Sequence, residues 1–307
     1  MATNGNSEPV VILVEKNTVR PSKVWEILKM KQNKQKVERL NHKLVKISDD
    51  KLRFVCLSDT HSKIERLTDP NFVPPGDVLL HAGDFTKKGT IEEIKEFNDY
   101  LGTLPHKHKV VIAGNHDLTL DNEVVYRRPH TLRSFGIAPS DVDEYLKKKG
   151  LSSVKDLLTN CIYLEDSMVE ICGIKIYGSP WQPEFHGWAF NVERGEEILK
   201  KWNKIPEGID ILMTHGPPVG YGDVTSGGNH VGCVELLNTV QKRVVPNYHI
   251  FGHIHEGYGM FTDGTTNFIN ASTCTLRYKP VNPPIVFDYP LPDGYNKENL
   301  LDVKLNS

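Results

Sequence analysis

Cysteine is scarce in this 307-residue chain: there are five, an odd number, widely spaced and with no CxxC pair. That argues against a disulfide framework or a zinc knuckle and points to a reducing compartment. Long apolar runs are missing too; none approaches the roughly 20 residues that span a bilayer. The first residues lack the basic-then-apolar pattern of a secretory signal, and Ala2 in place of glycine removes a myristoylation motif. A cytoplasmic protein is expected. Net charge is also nearly absent, with 37 Lys/Arg against 39 Asp/Glu giving −2. Such a balance speaks against a broad basic face, and no stable nucleic-acid complex is expected. Repeats and low-complexity linkers are lacking as well. Histidine is what the chain has in quantity: 13 residues, which directs attention to metal ligation or acid–base chemistry.

The small net charge hides an asymmetry. Residues 1–50 carry 10 Lys/Arg and 6 Asp/Glu, while residues 51–307 carry 27 and 33. The basic excess lies between Ser22 and Lys46, where Val24, Ile27, Leu28, Val37, Leu40 and Leu44 recur at roughly helical spacing. Residues 1–50 therefore read as a basic, helix-patterned extension that packs on its own domain or stays partly disordered. Docking of residues 22–46 on a membrane or a partner protein is the less favoured alternative. The main domain is expected over 51–290, with a C-terminal tail over 291–307.

From residue 52 onward, short apolar runs alternate with amphipathic stretches. Phe54–Leu57, Val78–Leu80, Val110–Ile112, Ile209–Met213 and Tyr248–Phe251 are rich in branched apolar side chains, as buried strands are. Thr90 and Glu93 form a capping box, followed by Ile91, Ile94, Phe97, Leu101 and Leu104 on one helical face. Further helices are expected near Arg194–Trp202 and Val234–Val240. Val169–Tyr177 reads as a hairpin turning at Cys172-Gly173, Thr265–Ser272 as a strand, and Pro280–Pro292 as an extended tail. The pattern is that of a mixed α/β domain.

The residues that follow the five apolar runs are the informative ones. They are Ser58-Asp59-Thr60-His61, Gly83-Asp84, Gly114-Asn115-His116-Asp117, Thr214-His215-Gly216 and Gly252-His253-Ile254-His255. Open α/β sheets place their sites outside the carboxyl ends of the strands, so these side chains would share one edge. Carboxylate, amide and imidazole donors without thiolate suit Mn, Fe, Zn or Mg. Seven donors exceed one tetrahedral site but fit two metal sites with a bridging carboxylate. Two such ions clamp the attacking and leaving oxygens of an in-line displacement at phosphorus, with a bridging hydroxide as nucleophile.

These five motifs, in this order, resemble the calcineurin-like metallophosphoesterase signature over about residues 53–275. Gly178-Ser179-Pro180-Trp181, Ile209–Pro218 and Val231–Leu237 resemble the animal metallophosphoesterase-domain-containing subgroup. The resemblance implies a four-layer αββα double β-sandwich and two divalent ions, manganese favoured. It implies Asp59, His61, Asp84 and His255 on one ion and Asp84, Asn115, His215 and His253 on the other. His116 is implied as the non-ligand imidazole at the leaving group; Asp117, which follows it directly in the chain, is the candidate to orient it. Lys87 stands where protein serine/threonine phosphatases carry an aspartate, which sets this chain apart from them. Some subgroup members carry glycine where His253 stands here, so the resemblance implies a fully loaded centre.

The resulting expectation is a phosphodiesterase acting on a small, cyclic-nucleotide-like diester. A phosphomonoesterase, a nuclease or a non-catalytic scaffold of the same fold are the alternatives. His230, in the glycine-rich stretch 226–230, and Trp181, near Phe185, are candidate substrate contacts. His81 and His249 lie inside apolar runs and read as core residues with satisfied hydrogen bonds. His42, His106, His108 and His130 sit among polar neighbours and read as exposed.

Overall fold

The computed structural model describes residues 10–39, 43, 45–301 and 303–306. Among them, the apolar runs pair into two large sheets. Five strands form the first, in the order Ile285–Pro290, Lys51–Leu57, Val78–Ala82, His108–Ile112 and Ile162–Tyr163. Its last three junctions are parallel. Eight strands form the second, in the order Gln35–Val37, Gly259–Thr262, Asn267–Asn270, Tyr248–Phe251, Ile211–Thr214, Ile174–Ser179, Ser167–Ile171 and Val303–Asn306. The four from Asn267–Asn270 to Ile174–Ser179 run parallel at its centre.

Strand alternation explains how the sheets stack. Leu52, Phe54, Cys56, Leu80, Val110 and Ile112 point toward the second sheet and meet Ile174, Ile176, Ile211, Met213, Ile250 and Ile269 in a shared core. On the opposite face of the first sheet, Leu57, Leu79 and Val111 pack under Ile94, Phe97 and Leu101. Behind the second sheet, Tyr177, Leu212, Phe251 and Phe268 meet Ile198, Trp202, Leu236 and Leu237. Each sheet is buried on both faces, so its strands read as continuous apolar runs. Every such side chain withdrawn from water contributes about 1.5–3 kcal/mol. Helix, sheet, sheet, helix: the four layers are those expected of the αββα sandwich.

Local signals set the helices. Ile91–Thr103 starts where Thr90 Oγ1 accepts from Glu93 N at 3.2 Å and Glu93 Oε2 accepts from Thr90 N at 3.1 Å. Glu196–Trp202 and Val234–Thr239 form near the expected positions, and the hairpin pairs Ser167–Ile171 with Ile174–Ser179.

Two segments differ from their sequence pattern. Residues 22–46 are not one amphipathic helix: the helix is Pro21–Leu28, and Gln35–Val37 then pairs with Gly259–Thr262. The unpaired edge of Gly259–Thr262 offers backbone partners that outweigh the helical spacing. Leu40, His42 and Leu44 lie outside the described residues. Pro280–Pro292 is likewise no tail, since Ile285–Pro290 pairs antiparallel with Lys51–Leu57 at the sheet edge, where proline is tolerated. Within 291–307, Val303–Asn306 closes the far edge of the second sheet. Among the described residues, no helix is long and apolar enough to cross a membrane.

Candidate metal centre

Parallel strands deliver their carboxyl ends to one place, and the two sheets meet there. The turns after the strands are tied to one another: Asp59 N donates to Gly83 O at 2.9 Å, His61 N to Asp84 O at 3.0 Å and Gly252 N to His215 O at 2.9 Å. Asp59, His61, Asp84 and His253 all adopt positive φ, between 44° and 67°. L-residues are rarely held there, and surrounding bonds must impose it; such strain gathers at functional sites. Close packing makes glycine necessary beside them. A Cβ on Gly114 would run into the Asp84 carboxylate and the His215 ring, and one on Gly252 into Asp59 and Ser58.

Backbone carbonyls orient the imidazoles. Nδ1 of His61 donates to Thr86 O (3.3 Å), Nδ1 of His215 to Ala82 O (2.8 Å), Nδ1 of His255 to Thr275 O (3.0 Å) and Nδ1 of His116 to Lys87 O (2.8 Å). A carbonyl only accepts, so the proton sits on Nδ1 and Nε2 turns inward. Those Nε2 atoms converge. His255 Nε2 lies 3.2 Å from both Asp59 Oδ1 and His61 Nε2, and His215 Nε2 lies 3.3 Å from Asp84 Oδ2 and 3.0 Å from Asn115 Oδ1. His61 Nε2 stands 4.0 Å from both Asp59 Oδ1 and Asp84 Oδ2. Asp59, His61 and His255 form one group with donor atoms within 4.8 Å of each other; Asp84, His215 and His253 form a second. Both groups can hold a metal ion.

Burial and charge act against each other here. Burial opposes protonation of His61 and His253, holding both down at about 3. Burial opposes it at His215 and His255 as well, but the facing carboxylates, Asp84 and Asp59, raise both to about 9. In return, burial is outweighed at Asp59 by His255 and at Asp84 by His215, so both carboxyls stay ionised. The buried carboxylates thus draw positive charge to the cluster.

Asp117 does something other than orient His116. Its Oδ2 accepts from Asp84 N (3.0 Å) and Gly114 N (2.8 Å), and its Oδ1 from Thr86 N (3.0 Å) and Thr86 Oγ1 (2.7 Å). The carboxylate braces the turns that carry Asp84 and Asn115, and His116 is oriented by the Lys87 carbonyl. Burial and the Asp84 charge push Asp117 up to about 7, against four donors that favour its ionised form. Glu93, the capping residue, also accepts from Lys87 N (3.2 Å), Lys88 N (3.1 Å) and Ser62 Oγ (3.1 Å), which steadies the turn behind His116.

A pocket opens over the centre, lined by Asp84, Asn115, His116, His253 and His255 below and by Phe185, Trp188, Leu276 and Tyr278 at the sides. Neither candidate substrate contact is among its lining residues. Trp181 packs beside Phe190, donates to Asp166 Oδ1 at 3.1 Å and carries Lys201 over its ring. His230 Nδ1 lies 2.8 Å from Asp223 Oδ1 and its ring meets Trp25. Trp188, 4.6 Å from the His116 ring, and Tyr278, 4.8 Å from the His61 ring, are the aromatic walls that sequence reasoning missed. Trp188 lies three residues beyond Phe185 in the same aromatic stretch, but only the packing distinguishes it from Trp181.

The remaining histidines sort by burial. His81 and His249 are core residues bonded through Nε2 to Thr60 Oγ1 (3.0 Å) and Thr214 Oγ1 (2.8 Å), each leaving Nδ1 without a partner. His130 is exposed. His106 is buried rather than exposed, because its Nε2 finds Pro74 O at 3.1 Å, and His108 is half-buried against Leu300 O at 2.5 Å.

Residues 52–257, which hold all these strand-end donors, match the calcineurin-like phosphoesterase family. The chain belongs to that family. Metallophosphoesterase domain-containing protein 1 of Homo sapiens and of Mus musculus is 58% identical over 241 residues, which is 78% of this chain and 72% of each relative. UPF0046 protein T07D4.2 of Caenorhabditis elegans is 46% identical over 276 residues, 89% of this chain and 69% of that protein. A probable cyclic nucleotide phosphodiesterase of Ruthia magnifica is 24% identical over 185 residues, 57% of this chain and 78% of its own length. The metallophosphoesterase fold and the clustered His/Asp donors thus agree with membership of that family.

Proposed function

We propose that the chain is a two-metal phosphodiesterase acting on a small organic diester. The observation that carries this reading is the convergence of inward-facing Nε2 atoms on two buried carboxylates, each ring held by a carbonyl behind it. In this reading Asp59, His61, Asp84 and His255 hold one divalent ion, and Asp84, Asn115, His215 and His253 hold the other. Oxygen and imidazole donors without thiolate fit Mn, with Fe, Zn or Mg as alternatives. When bound, the ions polarise the phosphoryl group and make water a competent nucleophile.

The protein's own groups do the rest. His116 is fixed at Nδ1 by Lys87 O, which leaves Nε2 on the pocket side, 3.9 Å from Asp84 Oδ2. With a second proton at Nε2 the ring is an imidazolium, which gives that proton to the departing oxygen and returns to its neutral Nδ1–H form. Asp117 holds the backbone of Asp84 and of Gly114, the residue before Asn115, and so keeps both donors in register. Phe185, Trp188 and Tyr278 offer flat apolar faces to an organic substituent.

Charge at the pocket supports a small substrate. Among its described lining residues the one Lys or Arg is Arg194, and its guanidinium donates to Val231 O (2.5 Å) and Gly232 O (2.8 Å). Glu184 and Glu256 also line it. A substrate with several phosphates would meet carboxylates where it needs cations, which counts against a polynucleotide. The name of the Ruthia magnifica relative points the same way, toward cyclic-nucleotide-like diesters. The test is kcat/KM of Mn-saturated protein on bis(p-nitrophenyl) phosphate and on p-nitrophenyl phosphate. The diester should be preferred. Preference for the monoester would overturn the diester reading, and no turnover of either would leave a scaffold.

A further inference from the structure

Two features of the sequence find no place in the metal centre: the basic N-terminal extension and His230. The structure joins them. Residues 217–232 form an excursion between strand Ile211–Thr214 and helix Val234–Thr239 that closes on itself at Cys233, with Cys233 N donating to Pro217 O (2.9 Å) and Val219 N to Cys233 O (3.0 Å). This excursion supplies Pro217, Thr225 and Val231 to the pocket wall. Its tip, from Val224 to Asn229, is largely exposed, with Ser226 N donating to Glu256 Oε1 at 2.8 Å.

The N-terminal segment meets it from outside. Ser22 Oγ accepts from His230 N at 2.9 Å and donates to His230 O at 3.2 Å. Trp25 is only 6% exposed; its ring lies 5.4 Å from His230 and 6.1 Å edge-on to Tyr221. It lies so close over Gly220 that a Cβ there would enter the indole. Lys34 Nζ donates to Gly220 O at 2.5 Å and sits over the Phe261 ring at 4.8 Å, while Tyr221 Oη donates to Gln32 Oε1 at 2.9 Å.

The contact continues inward to the pocket. His230 Nδ1 pairs with Asp223 Oδ1 at 2.8 Å, and the fully buried Asp223 accepts from Gly232 N at 3.0 Å through Oδ2. Val231 N donates to Asp223 O at 3.1 Å, so Val231 is fixed by the same residue. On the far side, Arg194 holds the carbonyls of Val231 and Gly232, and Val14 packs beside the neighbouring Gly195. The segment thus touches the wall through Gly220, Tyr221 and His230.

We infer that residues 20–37 are an intramolecular strap whose Ser22 and Trp25 position the 217–232 wall of the substrate pocket by holding His230. His230 and Trp25 are positioning residues: neither lines the pocket. The strap leaves the metal donors untouched, because those depend on strand ends and carbonyls that the segment does not contact.

Trp25→Ala, Trp25→Phe and Ser22→Ala in the full chain test this. Hydrogen exchange at residues 217–232 reads the wall directly and does not depend on activity. In Trp25→Ala these amides should exchange at least about 10-fold faster, while amides of the Ile91–Thr103 helix stay as they were. Trp25→Phe should restore most of the protection. Ser22→Ala removes only the hydroxyl and should give a smaller change of the same kind, which keeps the test open if Trp25→Ala does not fold. The kinetic arm rests on the diesterase reading: KM for bis(p-nitrophenyl) phosphate should rise about 3- to 10-fold with kcat and bound Mn unchanged. If the wild-type protein hydrolyses no diester, that reading fails and the exchange result still decides the strap. A folded Trp25→Ala protein with wild-type exchange over 217–232 would overturn the strap, as would a loss confined to kcat and Mn content.

Discussion

The floor of the pocket and its walls are built in different ways. The floor comes from five strand ends; its carboxylates are buried, and its imidazoles are held by carbonyls of neighbouring turns. The walls come from residues 183–194, 217–232 and 256–278, and they expose aromatic rings such as Phe185, which is 53% accessible. A donor on a strand end inherits the rigidity of the sheet, whereas a wall residue is placed by contacts from distant parts of the chain. Changes in the floor should therefore abolish reaction with every substrate, and changes in the walls should alter which substrate is preferred.

The largest effect is expected at the carboxylate that joins the two donor groups. Asp84→Ala should lower bound Mn below one ion per chain and kcat by well over about 100-fold, more than the loss of an outer hydrogen-bond partner costs. Elemental analysis beside steady-state rates checks it; full metal content would show that Asp84 is not shared. Next comes His116→Ala, which should lower kcat by about 100- to 10,000-fold with metal content kept. Loss of metal together with rate would make His116 a ligand.

Asp117→Asn tests whether the floor is braced from below. Asparagine keeps one acceptor oxygen, while its NH2 faces backbone N–H donors, so stability should fall by about 2–3 kcal/mol. Metal affinity should weaken as Asp84 and Asn115 lose register. Thermal unfolding and Mn titration measure the two, and an unchanged melting temperature would contradict the bracing.

In the walls, Phe185→Ala should raise KM for an aryl diester about fivefold, the value of one aromatic contact, with kcat and Mn unchanged. A fall in kcat without change in KM would blur the division between floor and wall. The smallest change belongs outside both: Trp181→Phe loses the bond to Asp166, about 1 kcal/mol of stability, and should leave the kinetics alone.

The same division explains what could be read from sequence. Asp59, His61, Asp84, Asn115, His116, His215, His253 and His255 are legible because an apolar run followed by a polar donor marks a strand end, and parallel strands end together. Helix Ile91–Thr103 is legible because its capping box is local. Trp188 and Tyr278 are not, since nothing near them in the chain separates a wall ring from a packed one such as Trp181. Asp117 is not legible for a related reason: adjacency to His116 suggests a partner, but the carboxylate turns to the backbone of residues 84, 86 and 114. The helical spacing of residues 22–46 gave way at Gln35–Val37, where an open sheet edge supplied hydrogen bonds that periodicity cannot anticipate.

The central claim is that this floor holds two metal ions. Elemental analysis of the full chain after saturation with Mn and removal of excess metal tests it most directly. Two ions per chain is the predicted result; one or fewer would contradict it.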